Sequence, residues 1–191
     1  MGPTNSDTDT SRVVCQTSAG WVGFAWSHRG LVTVTLPQMT EAEVLSRLPE
    51  PAGVDVEPPP GLDASSLTDK LCRYFEGEQV PFDEPLDPEV GTDFQRRVWA
   101  ITRAIPRGRT RTYRAIAWEA GSPKGARAVG QAMARNPWPI LVPCHRVLGS
   151  DGRLTGFGGG LYMKQRMLMM EGAQVPVSYR QVAFDWDDDP R

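Results

Sequence analysis

The amino-acid sequence predicts an α+β chain in two parts, and three observations carry that prediction. Residues 13–36 alternate apolar and polar positions between glycine-marked turns, as strands do. After residue 92 the apolar positions recur every three or four residues, as they do on helices. Between the two the charge changes sign: residues 1–91 hold 5 Lys and Arg against 15 Asp and Glu, whereas residues 92–172 hold 14 against 4. A basic half suits a polyanion, whose phosphates give salt-dependent, sequence-blind affinity. Attraction between the acidic and basic halves is the competing reading.

In the first part, RVVCQT, WVGFAWS and LVTVTLP are separated by SAG and HRG and make a three-stranded meander. Thr40 and Glu43 stand at capping-box spacing and open a short helix, TEAEVLSRL. The segment PEPAGVDVEPPPGLDASS is an irregular, proline-rich connection. Leu67, Leu71, Tyr74 and Phe75 give SSLTDKLCRYFEG an apolar helical face, with Cys72 either in the core or half-exposed. The proline-broken EQVPFDEPLDPEVG reads as a linker, with the domain boundary near residue 90.

In the second part, Thr92 and Gln95 form another capping box, and Phe94, Val98, Ile101 and Ile105 line an amphipathic helix that Pro106 ends. Thr112 caps YRAIAWEA, which Gly121 stops. Ser122 is expected to cap the next helix, with Pro123 in its first turn, and this helix runs to the NPWP breaker. Two short helices joined by AGSP have a helix-turn-helix pattern. The second carries Gly125, Ala126, Ala128, Gly130, Ala132 and Ala134, small residues that serve either close helix packing or close approach to a nucleic-acid groove. Arg127 projects from this narrow surface as a solvated side chain or as a wedge into a base stack. PILVPCHRVLG reads as a short buried strand entering a bend. Met163, Met167, Met169 and Met170 on the last helix are core filler.

The chain is long enough for one domain or two small ones. Its polar start lacks the order of a signal peptide, and no apolar stretch approaches the 18 residues of a membrane span, so a cytoplasmic location without membrane association is expected. Cys15, Cys72 and Cys144 are odd in number and widely spaced, which favours free thiols. With His28, Cys15 and Cys72 offer no close pair in sequence, so no metal site is expected.

Cys144 beside His145 is the strongest chemical signal. A free thiol is mostly protonated at neutral pH and needs a base. Adjacent side chains diverge in a strand or helix, so a turn or a bridging water is required between sulfur and imidazole. A carboxylate is needed to hold the imidazole, and the basic half offers Asp93, Glu119, Asp151 and Glu171. Glu171, closing the last helix, is the choice; an ion pair with an arginine is its rival role. GRLTGFGGGLYMK, with Gly156, Phe157, Gly158, Gly159 and Gly160, is either a flexible loop or the bare-backbone rim of a pocket with Phe157 as its wall.

The run PCHRV, preceded by ARAVGQAMARNP and followed by GRLTGFGGGLYMK and EG, resembles the O6-alkylguanine-DNA alkyltransferases, or methylated-DNA–protein-cysteine methyltransferases. The resemblance is strong over residues 92–172 and rests on element order before them. It implies a ribonuclease-H-like sheet domain followed by a winged-helix-like DNA-binding domain. The parts are then a disordered start (1–11), an N-terminal domain with its linker (12–90), the alkyltransferase domain (91–173) and an acidic tail (174–191). It implies irreversible, once-only transfer of an alkyl group from O6 of guanine, with O4 of thymine as an open alternative, in double-stranded DNA to Cys144, with no cofactor and a monomeric protein.

Position by position, the resemblance makes Cys144 the acceptor, His145 its base and Glu171 the orienting carboxylate. Asn136 would tie the preceding turn to the helix-turn-helix. Arg127 would fill the stack when the base is flipped, Tyr113 would act on phosphate and base, and the Gly158 amide would face O6. Ala126, Ala128, Met133, Pro139, Val147, Phe157 and Gly159 complete the implied DNA and substrate surface. Three positions depart from the usual pattern: Gly158 where serine is common, Phe157 where tyrosine is, and Gly125 where alanine is. A cysteine hydrolase using Cys-His-Glu remains the alternative, and would turn over.

Overall fold

The computed structural model describes residues 9–51, 53 and 55–174, and its chain divides into two compact units, Met1–Val90 and Gly91–Arg191. The expected acidic tail, and the disordered start up to residue 8, lie outside the described residues. Ser11, placed above in that start, already belongs to a strand, and Thr10 is buried.

The first unit holds the predicted meander: β1 (Ser11–Thr17), β2 (Gly20–Ser27) and β3 (Gly30–Val34), antiparallel in the order β1-β2-β3. Helix α1 (Glu41–Leu45) starts on the Thr40–Glu43 capping box. It buries Val44, with Leu48 just beyond, against Ala25, Val14 and Trp21. Gly23 permits this approach, because a Cβ there would stand 2.6 Å from Val44 Cγ1 and 2.9 Å from Leu48 Cδ1. Helix α2 (Ala64–Phe75) is capped by Asp63, lies against β1, and buries the predicted Leu67, Leu71, Tyr74 and Phe75.

Neither proline-rich segment is a loose tether. Trp26 Nε1 donates to Val56 O at 2.8 Å. Leu31 N donates to Pro85 O at 2.8 Å and Asp87 N to Leu31 O at 2.9 Å, so the expected linker extends the sheet beyond β3. Buried Asp87 is held there by Ser27 Oγ at 2.6 Å and Arg29 Nε at 3.3 Å. Extended proline-containing backbone suits a sheet edge, where one side needs no donor.

The second unit opens with α3 (Asp93–Arg103), capped as predicted by Thr92 and Gln95. Its buried face differs by a fraction of a turn from the expected one: Val98, Trp99, Thr102 and Ile105 are buried, while Phe94 and Ile101 are half-buried. Trp99 is drawn inward because its indole donates to Ala132 O at 2.9 Å and packs edge-on against Trp138 at 5.3 Å. Strand β4 (Arg111–Thr112) pairs in parallel with β5 (Val147–Leu148), a ladder the sequence pattern did not reveal because each strand is two residues long.

Thr112 caps α4 (Tyr113–Glu119), and Gly121 at φ +77° ends it, as expected. Helix α5 (Ala126–Ala134) begins later than predicted. Ser122 does not cap it; its carbonyl accepts from Gly125 N at 2.7 Å in a preceding turn, and Gly125 stands at the cap without a side chain.

The stretch read as a buried strand is instead a buried turn. Val142 N donates to Trp138 O at 2.8 Å, and Ile140 takes φ +79°, a region β-branched residues rarely enter. A 3-10 turn over Cys144–Arg146 follows. Helix α6 (Gly160–Met170) is buried on all sides from Lys164 to Leu168. Its methionines are not uniformly core: Met167 is, Met163 and Met170 are half-buried, and Met169 is exposed. Among the described residues no helix is long and apolar enough to cross a membrane.

Candidate active site

The 3-10 turn solves the problem that adjacency posed. It breaks the strand or helix geometry that would set the side chains of Cys144 and His145 apart, and it keeps both buried with Arg146 half-buried beside them. His145 is fully buried, and its Nε2 lies 2.9 Å from Glu171 Oε1. The carboxylate only accepts, so Nε2 carries the proton and Nδ1 is the basic nitrogen. Glu171 follows the last turn of α6, and both roles weighed for it are realised at once. Arg146 donates Nε to Oε2 and Nη2 to Oε1, each at 2.8 Å.

Burial alone would raise the Glu171 pKa, but the hydrogen bonds and charges of His145 and Arg146 outweigh it and hold the carboxyl well below its usual range. Burial pushes the His145 pKa down, with the cations Arg146 and Lys164 adding to it, so the imidazole is neutral near pH 7. For Cys144 burial again leads, raising the thiol pKa above 9.0. A hydrogen bond from Asn136, the charge of Lys164 and the amides of Cys144 and His145 pull the other way.

Asn136, at the end of α5, donates Nδ2 to Val142 O at 2.8 Å and accepts from Trp138 N at 3.0 Å through Oδ1. It therefore braces the strained turn and touches the sulfur. Trp138 is core, 2% exposed and packed edge-on against Trp99.

Two residues escaped the sequence reading. Arg146 follows His145 directly and has no motif of its own to mark it. Lys164 was missed outright, since a lysine on an amphipathic helix reads as solvated. Here it is 0% exposed, its Nζ donating to Val147 O at 2.6 Å and Thr155 O at 3.0 Å. Its ammonium lies 5.9 Å from the centre of the Tyr113 ring, and burial lowers its pKa to about 8. The hint in the sequence was its place in a methionine-rich helix, YMKQRMLMM.

The remaining candidates fall in two groups. Tyr113 is half-buried, hydrogen-bonded to Thr155, and close enough to Cys144 for a thiolate to raise its pKa further, after burial. Met133, Pro139 and Val147 are buried around the turn. Arg127, Ala128 and Gly158 are exposed, while Ala126, Phe157 and Gly159 are half-buried. The small-residue helix packs closely on one face and leaves the other exposed. Val129, Ala132 and Met133 pack inward, and Gly130 faces the Tyr113 ring with room for about one methyl, 3.9 Å. Arg127, Ala128 and Gln131 face out. The described residues contain no group of three or more His, Cys, Asp or Glu arranged for a metal ion.

A family model described as "6-O-methylguanine DNA methyltransferase, DNA binding domain" matches residues 93–173. A methylated-DNA–protein-cysteine methyltransferase of Mycobacterium bovis is 46% identical over 138 residues, 72% of this chain and 82% of the relative. One from Methanosarcina acetivorans is 53% identical over 104 residues, covering 54% and 66%. Two solved structures, the O6-methylguanine methyltransferase of Mycobacterium tuberculosis and its OGT in complex with DNA, each superpose with a TM-score of 0.66. They are 38% and 39% identical, cover 88% and 84% of this chain, and are themselves covered to 96% and 92%. With a buried thiol and imidazole on one turn, the imidazole bonded to a buried carboxylate at the end of α6, and relatives alike over most of both chains, this protein belongs to the family of the methylated-DNA–protein-cysteine methyltransferases.

Proposed function

We propose that this protein repairs DNA by direct reversal, moving a methyl group from O6 of guanine to the sulfur of Cys144, once per chain. The observation that carries the reading is His145, hydrogen-bonded to Glu171 and next to Cys144, itself only 8% exposed, on one turn. A thiol so placed cannot meet a base edge inside a duplex, so the nucleotide must leave the stack and enter the site. The exposed face of α5, with Arg127 rising from Ala128 and its small neighbours, is suited to the minor groove, the arginine occupying the gap.

The step balances without a cofactor. Nδ1 of His145, directly or through a water, takes the thiol proton; the sulfur attacks the methyl carbon in line; the carbon–O6 bond breaks as the carbon–sulfur bond forms. The electron pair left on the base is neutralised by a proton from water at N1, which restores guanine, and the imidazolium returns the thiol proton to water. In this reading Tyr113 and the Gly158 amide donate to the departing base. The imidazolium shares its charge with Glu171, which Arg146 keeps ionised. A thioether has no easy leaving group, so the protein is consumed.

In this reading the first unit is a ribonuclease-H-like domain of residues 12–90, and residues 91–173 form a winged-helix-like DNA-binding and transfer domain, with α4 and α5 as its helix-turn-helix. Strands β4 and β5 and the glycine-rich loop support the winged description. The protein acts as a monomer in the cytoplasm.

The test is to mix the chain with a duplex carrying one O6-methylguanine and weigh its peptides. One methyl per chain on the Cys144 peptide, and none for Cys144→Ser, is expected. Repeated cycles releasing methanol would overturn this in favour of a hydrolase.

A further inference from the structure

Cys15 and Cys72 lie far apart in sequence and looked unrelated, yet the fold brings them together within the first unit. Cys15 is on β1, where the two-residue period turns it away from the Val14 face that packs on α1. Cys72 is on α2, which lies against β1. The Cys15 thiol donates a hydrogen bond to the Cys72 sulfur, and Cys72 Sγ in turn donates to Gln16 O at 3.6 Å. Both are free thiols and half-buried, whereas Cys144 is buried.

We propose that Cys15 and Cys72 are a modification site, a thiol pair that a low-molecular-weight disulfide converts to an intramolecular disulfide while Cys144 is spared. The Cys72 thiolate attacks one sulfur of the reagent, forming a mixed disulfide and releasing one reagent thiol. Cys15, giving up its proton, then attacks the Cys72 sulfur, and the second reagent thiol leaves. Two protein thiols are oxidised and one external disulfide is reduced to two thiols. Burial, joined by the carboxylates of Glu76 and Asp69, holds the Cys72 thiol up, and burial holds Cys15 at about 11. The pair is thus slow, stays reduced under mild conditions, and answers to sustained oxidant. Cys72 reacts first because it is the less shielded. The bond would tie the first strand to α2 and close the chain from residue 15 to residue 72, the kind of long loop whose closure most restricts the unfolded state.

The test incubates the full chain with oxidised glutathione over hours and maps the tryptic peptides without reduction. Expected are a chain lighter by two hydrogens, a link between Val13–Arg29 and Leu71–Arg73, a higher urea midpoint for the oxidised form, and undiminished methyl acceptance at Cys144. Cys15→Ser should stop at a mixed disulfide on Cys72, while the wild-type map stands even if that variant folds poorly. A stable glutathione adduct on wild-type Cys72 with no internal link, or a link that includes Cys144, overturns the proposal. Loss of methyl acceptance in untreated protein bears on the transfer reaction and not on the thiol pair.

Discussion

Arg146 grips both carboxylate oxygens of Glu171, and one of those oxygens, Oε1, is also the partner of His145 Nε2. The fork fixes the plane of the carboxylate, and the carboxylate fixes the ring. Arg146→Ala would leave a buried carboxylate with imidazole alone, a change that costs about 3–5 kcal/mol when a buried pair is broken. The expected outcome is a second unit less stable by that order and methyl transfer slowed about 10- to 100-fold, the scale seen when a supporting partner is removed. Arg146→Lys should recover charge but not the fork, and so only part of the rate. Single-turnover kinetics and urea unfolding measure the two effects separately.

The same carboxylate sets an acid limit on stability. Its folded pKa lies below the unfolded value near 4.5, so below that value the unfolded chain binds more protons. The stabilisation from Glu171 is fully present above pH 4.5 and is lost as pH falls through the depressed folded value. Glu171→Gln, less stable at pH 7, should show a flatter dependence of the urea midpoint between about pH 3 and 5, the range around the ordinary carboxyl pKa. Equal slopes for the two proteins would show that Glu171 is not the group concerned.

Lys164 should shape the pH profile of the transfer. Its charge favours the Cys144 thiolate, while its own pKa is lowered to about 8. As pH rises the thiol ionises more readily, but above about 8 the ammonium that assists it is discharged, so the wild-type rate should climb from neutrality and then flatten. Lys164→Met should be slower at pH 7 by about tenfold, the effect of one pKa unit on the thiol, and should keep rising above pH 8. A parallel, merely lower profile would assign Lys164 a packing role only.

Thr155 connects that ammonium to the phenol. Its carbonyl accepts from Lys164 Nζ and its hydroxyl bonds Tyr113, so replacing the side chain separates the two contacts. Thr155→Val keeps the carbonyl and should slow transfer about 3- to 10-fold, the value of one neutral hydrogen bond. It should also raise the Tyr113 pKa further, and Thr155→Ser should restore both. Tyrosine ring resonances followed by NMR report the pKa directly.

Much of this architecture is written locally in the chain. The Thr40 and Thr92 caps, the meander and the apolar face of α2 depend on neighbours within a few residues, and they appear where the pattern puts them. What misled the reading depends on partners far along the chain. PILV has the composition of a strand, but Asn136 and Trp138 draw it into a turn. The α3 face rotated because Trp99 found Ala132 O. Lys164, charged yet interior, is tolerated only because two carbonyls from β5 and the glycine-rich loop receive it. Within the site, Cys144, His145 and Glu171 were legible because their chemistry requires one another; Arg146 and Lys164 support that chemistry from outside and leave no spacing to read.

Substitution at Arg127 tests recognition apart from chemistry. Its side chain is exposed on α5, on the face opposite the buried Val129 and Met133, so removing it should leave the fold and the thiol unaltered. If it holds open the gap left by an extruded base, Arg127→Ala should slow transfer from duplex DNA by 10- to 100-fold, a loss of about 1.4–3 kcal/mol in keeping with the cost of unstacking. It should have little effect on transfer from free O6-methylguanine, which needs no extrusion. A mispaired or single-stranded substrate should fall between the two, because the stack it leaves is already weak. Equal losses on free base and duplex would place Arg127 in the chemical step and remove the wedge from the account.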